Sequence, residues 1–137
     1  GKNFVKTVID LAKQKKSLKV IDDQYGCPTS ARAVAQAILT ICEKFQVERK
    51  IQYGTYHYSG TPATSWYFFA KEIIKIASEE RLIKNKIKID SISSKDYLSV
   101  SKKPNDSTLS SQKIQKVFGV IPSPWIPDLE YTISNLT

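Results

Sequence analysis

Helical spacing dominates this chain and strand-like runs are scarce, and that imbalance limits what it can fold into. Five stretches place apolar residues at intervals of three and four, whereas only three short runs, 18–21, 55–59 and 87–92, read as strands. Each amphipathic helix has to bury its stripe against another element. Three short strands are too few for a parallel sheet covered on both faces by that many helices. The chain is therefore expected to form part of a larger α/β protein.

The individual elements follow from periodicity and caps. Phe4, Val8, Leu11 and Ala12 predict a helix from 3 to about 16, with lysines at its C-terminal end where the helix dipole favours them. Leu18 to Ile21 reads as a strand. Thr29 or Ser30 can cap the next helix, whose stripe is Ala31, Val34, Ala35, Ile38, Ile41, Cys42 and Phe45. Residues 46–54 read as polar and turn-like, and Thr55-Tyr-His-Tyr-Ser59 as a strand closed by Gly60 and Pro62. Thr64 can cap a third helix with Trp66, Phe69, Ala70, Ile73 and Ala77 buried, ending near Glu80 or Arg81. Ile87 to Ile92 predicts another strand, and 99–107 is the longest loop. Ser110 or Ser111 opens a short helix stopped by Gly119, and Trp125, Leu129, Thr132 and Leu136 mark a terminal helix begun near Pro124 or Pro127.

At 137 residues and 41% hydrophobic, the chain has material for one core, so 1–137 is expected to be a single domain. No window reaches the roughly 18 uninterrupted apolar residues of a membrane span, and GKNFVKTVIDLAKQKK lacks the apolar block of a signal peptide. A cytoplasmic protein without a membrane partner is the expectation. Cys27 and Cys42 form no Cys-x-x-Cys pair, and one histidine leaves little for a zinc site, so reduced thiols and no metal are expected. The net charge of +8 is carried mainly by scattered lysines, only Arg32, Arg49 and Arg81 being arginine. A nucleic-acid reader usually adds clustered arginines or interleaved aromatics, so solvated surfaces explain this charge better and no nucleic-acid partner is expected.

Several catalytic patterns are absent or coincidental. None of the five glycines is arranged as a dinucleotide or phosphate loop, where glycine would let the backbone approach a pyrophosphate. Tyr67 and Lys71 match a Tyr-x-x-x-Lys pair, yet seven tyrosines in a lysine-rich chain yield about one such pair by chance. His57 lies mid-strand with no acid or nucleophile beside it. Asp22 and Asp23 would point to opposite faces of a strand and so do not converge as an acid pair; the turn and the following helix N-terminus account for at least one.

Taken in order, several segments carry a resemblance. Gly1-Lys-Asn-Phe-Val-Lys-Thr7, Leu18-Lys-Val-Ile-Asp-Asp-Gln-Tyr-Gly-Cys-Pro-Thr29 and Gly54-Thr-Tyr-His-Tyr-Ser-Gly60 come first, then Thr64-Ser-Trp66 with Phe69-Ala70, and Pro104-Asn-Asp-Ser-Thr-Leu109. Together they resemble the C-terminal, substrate-binding portion of the dTDP-4-dehydrorhamnose reductases, extended short-chain dehydrogenase/reductases with an NAD(P)-binding Rossmann-like fold. The resemblance implies NADPH-dependent reduction of the 4-keto group of dTDP-4-dehydro-L-rhamnose, for cell-surface polysaccharide. It also implies that the cofactor loop and the catalytic residues belong to an N-terminal half outside this chain. On that reading there is no catalytic residue here, Tyr67 and Lys71 lie downstream of the family's catalytic pair, and the chain alone neither holds NADPH nor turns over substrate.

Position by position, the resemblance places Asn3 and Phe4 at the substrate cleft, with the turn carrying Gln24, Tyr25, Pro28 and Thr29 facing the dTDP-sugar. Lys103 and Asn105 fall in the family's Arg-Pro-x-Asn-Ser loop, where Lys103 stands in place of arginine and Asp106 in place of asparagine. Lysine keeps the charge but loses the two-pronged grip on phosphate. Other readings are a nucleotide-sugar epimerase or a noncatalytic relative that binds a partner protein, and, from a different class, a small basic nucleic-acid-binding module. Apolar faces left without the other half are expected to drive self-association, as a homodimer with exchanged elements.

Overall fold

A computed structural model describes residues 3–50, 52–97 and 103–136. Helix α1 (Phe4–Gln14) begins where the Asn3 side chain accepts the Lys6 N–H, and it leads into β1 (Ser17–Ile21). The short β2 (Tyr25–Gly26) precedes α2 (Ala31–Glu48), capped by the Ser30 hydroxyl oxygen at the Ala33 N–H. Next come β3 (Thr64–Ser65), α3 (Trp66–Glu79), β4 (Lys88–Ile92), α4 (Gln112–Phe118) and α5 (Trp125–Ser134). Each predicted helix is present. α2 runs on through residues read as turn-like, and α3 takes Ser65 rather than Thr64 as its cap, the Ser65 hydroxyl oxygen accepting the Phe68 N–H.

Two small sheets result. β1 and β4 pair in parallel, Leu18 opposite Ile89 and Ile21 opposite Ile92, and β2 pairs antiparallel with β3. The main core is shared by α1, α3, α5 and β1: Val8, Ile9, Ala12, Leu18, Phe69, Ile73, Trp125, Leu129 and Ile133 are all buried there. Burying each large side chain stabilises the fold by about 1.5–3 kcal/mol. A smaller cluster of Ala37, Ile114, Phe118 and Val120 joins α2 to α4. Left-handed residues follow three of the helices, Arg49 after α2, Arg81 after the Glu80 cap of α3 and Gly119 (φ 73°) after α4.

Two expectations fail here, and for one reason. The run 55–59 joins no ladder among the described residues, although Tyr56 and Tyr58 turn inward onto Ile114 and Phe118 while Thr55 and His57 stay exposed. Its alternation is that of a strand, but a strand also needs a neighbour to accept its hydrogen bonds. Likewise the α2 stripe is not buried. Ala33 and Ala37 are buried, Ala37 in the second cluster with Ile41 packed against it, whereas Val34, Ile38 and Phe45 are 40%, 55% and 45% exposed. Periodicity found the helix and missed which side of it finds cover.

Candidate functional site

The turn between β1 and α2 gathers segments far apart in sequence. The Tyr25 N–H donates to the Asn105 carbonyl (2.7 Å), and the Tyr25 carbonyl accepts both the Ser107 N–H (3.0 Å) and the Ser107 hydroxyl (2.9 Å). On its other edge Tyr25 pairs with Ser65, and the Gln24 carbonyl accepts the Trp66 N–H. The loop at 103–107 and the start of α3 are thus stitched to either side of one extended dipeptide.

Past Gly26 the chain is clamped again. The Thr29 hydroxyl donates to the Cys27 carbonyl (2.9 Å) and its oxygen accepts the Gly60 N–H (2.9 Å). Gly60 is packed so closely on the Pro28 carbonyl that a Cβ at position 60 would run into it. The corner is rigid because three backbones meet there with no side chain between them.

A cavity of about 740 Å³ opens beside this corner. Asn3 and Phe4 from the start of α1, Pro28 and Thr29 from the turn, Trp66 and Phe69 from α3, Ser107 from the loop, and Trp125, Asp128 and Tyr131 from α5 all contribute to its lining. Its apolar wall is an aromatic cluster: Phe4 lies 4.8 Å from Trp66 and 5.6 Å from Phe69, and Phe69 meets Trp125 edge-on at 5.4 Å. The Trp125 Nε1–H donates to the Pro62 carbonyl (2.9 Å), which fixes the buried indole. Size, an apolar wall and a few convergent polar groups suit a small-molecule ligand of nucleotide dimensions.

Of the residues expected at a site, Asn3, Phe4, Pro28 and Thr29 line this cavity; Gln24, Tyr25, Lys103 and Asn105 do not. Gln24 is buried, Tyr25 contributes through its backbone, Asn105 through its carbonyl, and Lys103 is exposed. Asp106 caps its own turn by accepting the Thr108 N–H at 2.8 Å, a bond that an asparagine oxygen would also accept, and that bond holds its carboxyl below the usual range. The replacement of asparagine is therefore compatible with the loop's conformation. Trp66, Trp125, Asp128, Tyr131 and Arg32 were not expected at a site. Trp66 read in the sequence as a stripe residue within the family-like Thr64-Ser-Trp66 segment and Trp125 as a stripe residue, and α5 is brought to the cavity by tertiary packing and by the Ser30 hydroxyl bond to Asp128.

The role of Asp23 is also settled by geometry. Asp23 binds neither a helix N-terminus nor the cavity; it accepts from the Ser93 hydroxyl (3.0 Å), the Ser94 N–H (3.0 Å) and the Ser94 hydroxyl (2.9 Å), tying the end of β4 to the end of β1. Desolvation pushes its pKa up, but the Ser94 and Ser93 hydrogen bonds outweigh that and hold it below the ordinary value. On α3, Lys71 lies over the face of the Tyr67 ring at 5.6 Å, and neither residue lines the cavity. Among the described residues there is no group of three potential metal ligands, and no helix is long and apolar enough to cross a membrane.

The whole chain, residues 1–137, matches the family described as RmlD substrate binding domain. The chain belongs to that family. A dTDP-4-dehydrorhamnose reductase of Aggregatibacter actinomycetemcomitans is 40% identical over 125 residues, covering 91% of this chain and 42% of the relative. Among solved structures, a dTDP-4-dehydrorhamnose reductase of Clostridium acetobutylicum superposes with a TM-score of 0.85 at 31% identity, over 99% of this chain and 44% of that one. The reductase of Bacillus anthracis in complex with NADP gives a TM-score of 0.78 at 30% identity, over 96% and 42%. This RmlD-type chain is an α/β portion spanning less than half the length of the reductases it resembles.

Proposed function

We propose that this chain is the sugar-nucleotide-binding portion of an NADPH-dependent dTDP-4-dehydrorhamnose reductase of the cytoplasm, acting in dTDP-L-rhamnose formation. One observation carries the reading. In an RmlD-type chain, Asn3, Phe4, Pro28 and Thr29 come from two separate segments and border one cavity of about 740 Å³. The Phe4 and Trp66 rings are only half buried and offer apolar faces to a base or sugar, and the rigid Pro28–Gly60 corner supplies a fixed rim.

The five glycines at 1, 26, 54, 60 and 119 offer no glycine-rich cradle for a pyrophosphate, so the residues present do not fit NADPH. The cofactor and the catalytic groups belong to the other half of a full-length reductase, and residues 1–137 alone bind substrate without reducing it. The exposed α2 stripe supports association of this chain, either with that half or with a second copy.

The test is titration of residues 1–137 with dTDP-L-rhamnose, followed by amide chemical shifts. Shifts confined to residues 3–4, 25–32, 64–69 and 105–107 are expected. If these amides stay still at millimolar ligand while the protein remains folded, the proposal fails.

A further inference from the structure

We propose that Arg32 is the diphosphate-binding residue of the cavity and supplies the guanidinium that the loop at Lys103 lacks. The inference rests on the sugar-nucleotide reading for its ligand but on separate observations for its residue. Arg32 carries the single permanent positive charge among the described residues that line the cavity, and Lys103, the cation expected from the family's loop, is not in that lining. Position 32 lies in the first turn of α2, directly after the clamped corner of Pro28 and Thr29.

The Arg32 side chain is held but not neutralised. Its guanidinium carbon sits 4.2 Å from the centre of the Tyr131 ring, so the planar group is supported on an aromatic face contributed by α5. Among the described residues it makes no ion pair. The nearby acid of the cavity, Asp128, uses Oδ2 to accept the Ser30 hydroxyl at 3.0 Å. An arginine braced by a ring has already lost much of its rotamer freedom, and its N–H edge remains available for the bidentate bonding that phosphate oxygens favour. A purely structural role, pinning α2 to α5, would need the ring contact but no access to the cavity.

Isothermal titration with dTDP-L-rhamnose, thymidine and inorganic pyrophosphate separates these roles in the wild-type chain, Arg32→Gln and Asp128→Asn. Arg32→Gln is expected to weaken dTDP-L-rhamnose and pyrophosphate about tenfold or more while thymidine affinity is unchanged. Asp128→Asn, which removes the negative charge from the lining, is expected to tighten both anions. Equal affinity of wild type and Arg32→Gln for dTDP-L-rhamnose would overturn the assignment and leave the sugar-nucleotide reading standing; so would an equal loss for thymidine, which marks a structural role. Arg32-dependent pyrophosphate binding without dTDP-L-rhamnose binding would support the anion site and refute the sugar-nucleotide reading. Binding of none of the three ligands by folded wild type would refute both.

Discussion

Replacing Gly60 by alanine adds one methyl group at the point where three segments meet, and the structure lets its cost be worked out. No positive φ occurs at this glycine, so alanine suits its backbone; in open space the change would stabilise by about 0.4–1 kcal/mol through the unfolded chain. The space is not open. The new Cβ would collide with the Pro28 carbonyl oxygen and lie 3.3 Å from the Ser123 carbonyl oxygen. Neither carbonyl belongs to a flexible side chain, so the backbone itself has to move. Moving it strains the Gly60 N–H bond to Thr29 and the Thr61 N–H bond to Ser123, both 2.9 Å. Overpacking at about 1–3 kcal/mol, together with one weakened hydrogen bond at about 1 kcal/mol, gives a net loss of roughly 2–3 kcal/mol after the entropic gain. With a urea dependence of about 2 kcal/mol per molar, the unfolding midpoint should fall by roughly 1–1.5 M.

Gly119→Ala is the matched control. Nothing lies within 4 Å of its Cβ position, but its φ of 73° is left-handed, so about 1–2 kcal/mol is lost from conformation alone and the cavity is untouched. Urea unfolding followed by tryptophan fluorescence, with a dTDP-L-rhamnose titration of each variant, reads both effects. A Gly60→Ala midpoint at or above wild type, with ligand response intact, would refute the close-approach argument.

Trp125→Phe keeps the packing against Phe69 but strips the Pro62 carbonyl of its donor, and calorimetry should show a loss of about 1–3 kcal/mol. Asp23, with its pKa lowered in the fold, stabilises above the ordinary carboxylate value near 4, and that contribution is lost as pH falls through the folded pKa. Asp23→Asn should therefore lower stability at neutral pH and flatten the acid limb below about pH 4, as measured by urea midpoints across pH. Joint substitution of Val34, Ile38 and Phe45 by glutamine should leave stability within about 0.5 kcal/mol per site, since all three are exposed, while shifting light scattering toward monomer. Unchanged self-association would place the contact elsewhere.

Part of the candidate site's framework was legible because its markers are local. The turn from Asp22 to Ser30 announces itself through Gly-Cys-Pro-Thr and a capping serine, and α1 through its spaced apolar residues. What stayed hidden depends on packing. Trp125 and Trp66 read equally well as core residues, and nothing in the order of the chain brings Tyr131 beneath Arg32. Lys103 and Asn105 were expected at the ligand because their loop resembles a binding loop; it reaches the corner through backbone bonds at Asn105 and Ser107, and Ser107 is its contribution to the lining.

The sequence alone determined the existence of the helices and the membership of the family, and it missed the Ser65 cap of α3 and the end of α2 at Glu48, because periodicity finds a helix while its exact ends depend on what meets them. Tertiary structure decided that β1 pairs with β4 across seventy-odd residues, that Asp23 serves the end of β4, and that α2 buries Ala33 and Ala37 rather than its larger stripe. Hydrogen-bonding partners and apolar cover are supplied from outside a segment. A strand-like run such as 55–59 can therefore carry every local sign of a strand and still find no ladder among the described residues.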